Sequence, residues 1–109
     1  MSLSTADFDG RKLRKPGITP VLFIAAWCPF CRNFSPIFES KLNEVGIDGA
    51  YVDLSDDDNP LWDIFGIEIV PTVIVFKDGE IVLREDGIAG RGLSPKVMID
   101  VVRAVKHRQ

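Results

Sequence analysis

Apolar residues along the chain follow two periodicities, and their succession predicts the order of strands and helices. The run 21–26 is apolar at every position, which is typical of a strand covered on both faces inside an α/β sheet. Beyond it, apolar residues recur at helical spacing from Phe30 to Val45. Pro29 suits the first turn of this segment and Gly46 suits its end, so the pattern predicts a helix from about residue 29 to residue 45.

Weaker patterns on either side of this helix predict shorter elements. Residues 50–54 are expected to form a short strand. A helix is expected to begin at Asn59-Pro60, because a capping residue there precedes a first-turn proline. Residues 1–17 carry no clear periodicity, and their pattern allows a short helix around residues 7–14.

The second half of the chain predicts a hairpin and a last helix. The β-branched segment 72–76 and the segment 81–84 flank Asp78-Gly79, a dipeptide typical of tight hairpin turns. Ser94-Pro95 begins a helix with apolar residues on one side. The resulting order, β-α-β-α-β-β-α, predicts an α/β fold with a mixed sheet between helices.

Length and composition fit one globular domain. The chain has 109 residues, of which 46% are hydrophobic and 27% charged, close to the average of folded proteins. We therefore expect a single domain over residues 1–109, in which residues 1–17 are the least determined segment. We also expect a monomer.

Charge and hydropathy argue against two classes of partner. The formal net charge is -3, whereas nucleic-acid binders usually present a basic face. No apolar run approaches the roughly 18–20 residues that cross a bilayer, and the N-terminus does not resemble a signal peptide. We expect no nucleic-acid partner, no membrane partner and a cytoplasmic location, while a mature fragment of an exported protein stays an open alternative.

The strongest chemical signal is the pair Cys28 and Cys31 at the start of the predicted long helix. One helical turn brings such residues close enough to form a disulfide. The first cysteine lies where unpaired N–H groups and the helix dipole stabilise a thiolate, and the second lies one turn inside. We therefore predict that Cys28 is the exposed nucleophile and that Cys31 is the buried thiol that resolves the mixed disulfide.

Metal binding is the main alternative for these cysteines. A closed structural zinc site needs four ligands, and the chain offers two cysteines and one histidine, His107. The acidic run 56–58 lacks the glycine and the glutamate that a calcium-binding loop requires. Unless two chains share a zinc or iron–sulfur site, we expect no metal and no organic cofactor besides the redox-active pair itself.

The segment Trp27-Cys28-Pro29-Phe30-Cys31, which follows an apolar strand, resembles the active site of the thioredoxin family. Three further features match in register: Pro36 resembles the proline that kinks the family's active-site helix, and Val70-Pro71-Thr72 resembles the segment whose cis-proline faces the disulfide. The hairpin segment 76–80, followed by Gly87, resembles the family's last hairpin and the glycine beside the site. The likeness covers roughly residues 21–105 and implies a thioredoxin fold, a central mixed β-sheet flanked by helices on both faces.

The resemblance implies thiol–disulfide exchange with disulfide-containing protein substrates, in which Cys28 and Cys31 are the catalytic pair. It also implies that the backbone around Val70 and Pro71 pairs with an extended substrate segment, and that a reductase or another dithiol donor recycles the pair. The expected substrate-binding residues are Trp27, Pro29, Phe30, Val70, Pro71 and Gly87, in an exposed apolar rim that Ile88 extends.

The chain departs from the family pattern in two respects, the position of an acidic residue and the dipeptide between the cysteines. Leu22 stands where the family commonly places a buried carboxylate that assists the second cysteine, and Asp53 aligns with the family's lysine on the adjoining strand. We hypothesise that Asp53 is a buried acid that takes the proton of Cys31; alternatively, Asp53 faces solvent or caps the loop 56–59. Pro29-Phe30 also differs from the Gly-Pro of typical thioredoxins, which leaves the reduction potential open.

Two other functions therefore stay open beside disulfide reduction. The same cysteine pair could serve a disulfide oxidase or isomerase. The reduction potential of such an enzyme is higher than that of a reductant. A third class is a binding module that keeps the fold and holds a partner in its groove without redox chemistry.

Overall fold

The fold is organised around one strand that pairs on both edges and is covered on both faces. A computed structural model describes residues 1–108. Strand β4 (Ile18–Ile24) runs parallel to β5 (Ala50–Asp53) on one side and antiparallel to β6 (Thr72–Lys77) on the other. Along the chain, the strands and helices are β1 (Ser2–Leu3), β2 (Phe8–Asp9), β3 (Lys12–Leu13), β4, α1 (Pro29–Glu44), β5, α2 (Leu61–Ile64), β6, β7 (Glu80–Glu85) and α3 (Val97–Arg108).

The main sheet is mixed, as the sequence predicts. Its five strands lie in the order β1-β5-β4-β6-β7, and β2 and β3 form a separate two-stranded hairpin. Strand β1 pairs in parallel with β5 at one edge, and β7 pairs antiparallel with β6 at the other. The predicted order of strands and helices from β4 to α3 is confirmed.

Two hydrophobic cores lie on opposite faces of this sheet. Along β4, Val21 and Phe23 belong to one core and Leu22 to the other, as expected for a strand whose side chains alternate. The first core also holds apolar side chains of α2 and of the β2–β3 hairpin. The second holds apolar side chains of α1 and α3, so helices cover both faces. None of the helices within residues 1–108 has the length and hydropathy needed to cross a membrane.

Most element boundaries differ from the sequence prediction by one to three residues. Helix α1 ends at Glu44, with Pro36 inside it and Gly46 at a φ of 70° beyond its end. Helix α2 follows Asn59, whose side-chain oxygen accepts a hydrogen bond from the Leu61 N–H at 2.9 Å. Helix α3 begins later than predicted, because Ser94 starts a separate turn in which its carbonyl accepts the Val97 N–H.

The short helix predicted around residues 7–14 is wrong. A single 3-10 turn covers Thr5–Asp7, and the chain then forms the β2–β3 hairpin. Phe8 and Leu13 are cross-strand partners and are both buried, which a helix could not achieve for residues five apart. Gly10, at a φ of 59°, lies between the two strands and allows the tight reversal.

The predicted hairpin turn at Asp78-Gly79 is present between β6 and β7, and both residues have positive φ angles, 49° and 88°. Gly79 also touches the β2–β3 hairpin, since its carbonyl accepts the Leu13 N–H at 3.0 Å. A Cβ at Gly79 would lie 2.7 Å from the Leu13 carbonyl oxygen, so glycine is required there for space as well as for conformation. This contact attaches the N-terminal hairpin to the sheet.

Candidate active site

Cys28 and Cys31 lie at the N-terminal end of α1, where the chain leaves the central strand. Cys28 is the N-cap residue, in an extended conformation, and Pro29 occupies the first helical turn. The Cys28 N–H donates to the Ala25 carbonyl at 3.1 Å, which fixes the reversal between β4 and α1. Both cysteines are free thiols. A redox-active pair therefore lies where the helix dipole favours negative charge.

The Cys28 side chain is turned inward. Its sulfur donates a hydrogen bond to the Val70 carbonyl at 3.4 Å, and the residue is only 4% exposed. The prediction that Cys28 is exposed is therefore wrong for this dithiol state, because the hydrogen bond directs the thiol against the 70–71 segment. The Val70–Pro71 peptide bond is cis, which is the geometry that the resemblance implies.

Cys31 is the more deeply placed thiol, at 2% exposure. Burial raises the pKa of the Cys31 thiol to about 12, and the neighbouring Cys28 contributes to this rise through a hydrogen bond and through its charge. A hydrogen bond with the Ala25 backbone acts in the opposite direction. Cys31 is therefore a neutral thiol near neutral pH.

Apolar side chains surround the cysteine pair at the surface. Trp27 is 58% exposed, Phe30 is 36% exposed and Ile88 is 59% exposed, and Pro29 is also exposed. The predicted apolar rim exists with one correction: the Val70 side chain is 5% exposed and belongs to the first core. Val70 therefore meets the site through its backbone carbonyl, while its isopropyl group packs inside the protein.

A hydrogen-bonded brace holds the segment before Cys28. The Ala26 N–H donates to the Ser55 hydroxyl at 2.7 Å, and the Trp27 indole N–H donates to the Ser55 carbonyl at 3.2 Å. The Asp53 carboxylate in turn accepts hydrogen bonds from the Ser55 N–H, at 2.9 Å, and from the Ser55 hydroxyl. The turn after β5 thus fixes both the backbone and the exposed indole next to the redox pair.

Gly87 lies against the other side of the site. A Cβ at this position would be 2.5 Å from the Pro71 carbonyl oxygen, so the chain just after β7 approaches the 70–71 segment as closely as backbone allows. The Gly87 N–H donates to the Thr72 hydroxyl at 3.4 Å, and that hydroxyl donates to the Ile69 carbonyl at 2.7 Å. The structure therefore brings Gly87 and Pro71 together beside the Cys28 sulfur.

A family model described as Thioredoxin matches residues 1–97 of the chain. The chain belongs to the thioredoxin family. It is 30% identical over 86 residues to a thioredoxin of Rhodospirillum rubrum, an alignment that covers 78% of this chain and 83% of that protein. It is 36% identical over 86 residues to a thioredoxin of Mycobacterium bovis, with 76% of this chain and 74% of that protein covered.

A solved structure supports the same assignment. A mutant thioredoxin from Halobacterium salinarum NRC-1 superposes with a TM-score of 0.65 and 25% sequence identity, over 83% of this chain and 75% of that one. The thioredoxin fold is thereby confirmed. Membership in the thioredoxin family gives the chain a general thiol–disulfide oxidoreductase activity that works through a pair of cysteines.

The hypothesis that Asp53 is a buried acid is wrong. Asp53 is exposed, at the last position of β5, and its carboxylate is engaged by Ser55 two residues later. Aspartate commonly forms such local hydrogen bonds to backbone where a strand ends. Leu22, at the position where the thioredoxin family commonly has a carboxylate, is fully buried in the second core. The alternative that Asp53 faces solvent is the one observed, with its carboxylate bonded to Ser55.

Two residues of the site were not predicted from the sequence. Ser55 carries the brace beneath Trp27, and its only signal was the Asp-x-Ser spacing directly after a strand. Gly92 has a φ of 68°, and a Cβ there would lie 2.7 Å from the Phe30 Cβ. The glycine-rich character of 87–92 signalled a turn, but it could not show which side chain the turn would contact.

In residues 1–108, no group of three or more histidine, cysteine, aspartate or glutamate side chains is arranged to hold a metal ion. His107, the candidate third ligand from the sequence, lies in α3. The loop 56–59 instead uses its acidic groups locally, as when Asp56 accepts the Asp58 N–H at 2.9 Å.

Replacing Ser55 by Ala should loosen the segment before Cys28. The variant removes the hydroxyl that accepts the Ala26 N–H, a hydrogen bond whose loss typically costs about 1 kcal/mol. We expect the Ala26 amide to exchange with solvent about fivefold faster, measured by NMR at a pH where opening is at equilibrium. Ser40→Ala, an exposed change within α1, is the control. An unchanged exchange rate of the Ala26 amide in Ser55→Ala would contradict the role of Ser55 in holding this segment.

The Cys31 thiol should make stability depend on pH in the alkaline range. The folded protein keeps this thiol neutral up to its raised pKa of about 12, whereas the unfolded chain ionises it near about 8.5. The unfolded state therefore binds fewer protons above about pH 9, and the unfolding free energy should fall there by up to about 1.4 kcal/mol per pH unit.

Urea unfolding of the reduced protein between about pH 7 and pH 10 measures this effect. The Cys31→Ser variant is the matched control, because its hydroxyl does not titrate in this range while all other ionisable groups remain. The wild-type protein should lose more stability than the variant over the same interval. Parallel pH profiles for the two proteins would show that Cys31 titrates as an ordinary thiol.

Proposed function

We propose that the chain reduces disulfides of protein substrates by dithiol exchange through Cys28 and Cys31. The observation that carries this proposal is the position of the Cys28 sulfur, at the N-cap of α1 and 3.4 Å from the Val70 carbonyl next to Pro71. A substrate sulfur that replaced the Cys28 hydrogen at this point would lie next to backbone groups able to hold an extended peptide. Cys31, one helical turn further, is placed to complete the exchange.

In the first step, the Cys28 thiolate attacks one sulfur of the substrate disulfide. The substrate S–S bond breaks, a Cys28–substrate disulfide forms, and the released substrate thiolate takes a proton from solvent. The N–H groups and the dipole at the start of α1 stabilise the attacking thiolate. The thiol hydrogen that Cys28 shares with the Val70 carbonyl in the dithiol state is lost before the attack.

In the second step, Cys31 loses its proton and attacks the Cys28 sulfur. The mixed disulfide breaks, the second substrate sulfur leaves as a thiolate that takes up one proton in place of the one Cys31 released, and an intramolecular Cys28–Cys31 disulfide remains. Two electrons have then passed to the substrate. A reductase or another dithiol donor must return them, and no further cofactor is needed.

The surroundings of the pair support a protein substrate. Trp27, Phe30 and Ile88 offer an exposed apolar surface beside the sulfur, and Gly87, which has no side chain, packs its backbone against the Pro71 carbonyl. Apolar contact with backbone pairing suits segments of varied sequence. The proposed substrate-binding groups are Trp27, Pro29, Phe30, Gly87 and the backbone of Val70–Pro71. A monomer in the cytoplasm, formed as one domain, is part of the same proposal.

A disulfide oxidase or isomerase is the second candidate. One relative is named protein disulfide-isomerase A3, from Gallus gallus; the chain is 30% identical to it over 82 residues, which is 73% of this chain and 16% of that protein. Pro29-Phe30, between the cysteines, also differs from the Gly-Pro of typical thioredoxins. A binding module without redox chemistry is less well supported, because both free thiols are present at the helix start.

The reduction potential separates a reductant from an oxidant. We expect a value near about -270 mV, the range of thioredoxin, measured by equilibrating the protein with defined ratios of reduced and oxidised dithiothreitol. The fraction of protein in each redox state is obtained by alkylating the free thiols and measuring the mass of the alkylated protein. A value above about -180 mV would favour the oxidase or isomerase instead.

Single cysteine variants test the two roles. Cys31→Ser should accumulate a mixed disulfide with a substrate protein, since the first attack still occurs and the resolving thiol is missing. Cys28→Ser should trap little, because the remaining thiol is neutral and only 2% exposed. The two adducts can be compared by non-reducing gels after the same incubation. Equal trapping by both variants would contradict the assignment of attack to Cys28.

A further inference from the structure

The loop between β7 and α3 contains a closed turn that the mechanism does not use. The Ile88 N–H donates to the Gly92 carbonyl at 2.9 Å, and the Gly92 N–H donates back to the Ile88 carbonyl at 2.8 Å. The Arg91 N–H donates to the same Ile88 carbonyl at 2.9 Å. These three hydrogen bonds make the segment 88–92 a defined element of structure.

Close backbone contacts fix both ends of this turn to the active site. Before the turn, Gly87 lies against the Pro71 carbonyl, with space for no side chain. At its end, the Cα of Gly92 faces Phe30, and a Cβ there would lie 2.7 Å from the Phe30 Cβ. Because Phe30 lies between the two cysteines in the sequence, the turn packs directly on the helical turn that carries the pair.

The turn and the start of α1 enclose a groove of about 280 Å³. This volume lies below the range of about 300–1,000 Å³ typical of small-molecule sites, and it suits a side chain of a bound peptide better. Arg91 is the only charged residue of its lining, and in residues 1–108 it makes no salt bridge. The lining residues are Phe30, Asn33, Phe34, Ile37, Arg91, Leu93 and Pro95.

The charge of this groove contrasts with that on the Trp27 side of the cysteines. Trp27 is held by Ser55, which directly precedes the exposed acidic run 56–58. The lining of the groove includes Arg91 and no acidic residue, although the whole chain has a formal net charge of -3. A bound segment therefore meets negative charge beside Trp27 and positive charge beside Phe30.

We propose that Arg91 and the 88–92 turn select substrate segments that carry a carboxylate near the attacked cysteine, with the apolar stem of that side chain against Phe30. This inference rests on the proposed disulfide reduction and specifies its substrates. A guanidinium at the edge of an apolar groove attracts a carboxylate chiefly by speeding association, and salt weakens the effect.

Two disulfide-linked peptides test the proposal. The peptides differ only at the positions two residues before and two residues after a cysteine, where one peptide has Glu and the other has Gln. Dithiothreitol returns electrons to the protein. On the Glu peptide, the kcat/KM of the wild-type protein should be about three to ten times that of the Arg91→Gln variant. On the Gln peptide, the kcat/KM values of the two proteins should differ by less than about twofold. Raising the salt to about 0.5 M should remove most of the difference.

Matched variants separate charge from structure. Arg103→Gln makes the same charge change at an exposed position of α3 and should leave both peptides unaffected. Arg91→Lys should recover most of the preference for Glu. If the wild-type protein reduces both peptides and Arg91→Gln lowers kcat/KM equally for both, the proposed selectivity of Arg91 for a carboxylate is overturned. The proposed disulfide reduction then still stands. If wild-type protein reduces neither peptide, both proposals fail.

Discussion

Strand β4 is the constraint on which the rest of the molecule depends, because it is buried on both faces and paired on both edges. Val21, Leu22 and Phe23 are each 0% exposed, and each such side chain contributes about 1.5–3 kcal/mol when buried. A shift of this strand would disturb two cores and two ladders at once. Its carboxyl end, from which the chain enters α1, is therefore firmly positioned, and the cysteines follow directly from it.

Three segments that are distant in sequence meet at this end of the strand. Ser55 holds the backbone of Ala26, the Val70 carbonyl accepts the Cys28 thiol, and Gly87 packs on the Pro71 carbonyl. Each contact uses backbone or a small side chain, so the segments approach closely while the large apolar side chains remain free at the surface. The result is a closely packed sulfur site with an exposed apolar border, an arrangement that suits the proposed exchange with protein substrates.

The sequence was sufficient for every element whose pattern was long and regular. Strand β4, helix α1 and the β6–β7 hairpin carry continuous apolar runs or unambiguous turn residues, and their packing agrees with their local preference. The prediction for residues 7–14 failed because Phe8 and Leu13 meet across a hairpin, a contact set by the tertiary structure. The prediction for Asp53 failed for a related reason, since strand position alone could not show that Ser55 would capture its carboxylate.

The contact between the thiols also favours the proposed order of the two chemical steps. When Cys28 is ionised, its charge and its hydrogen bond with Cys31 raise the pKa of Cys31, in addition to the larger effect of burial. Once Cys28 is joined to a substrate sulfur, it can no longer be ionised, and the contribution of its charge disappears. The pKa of Cys31 then falls, while burial continues to hold it above its ordinary value, so the resolving thiol is easier to ionise after the first attack than before it.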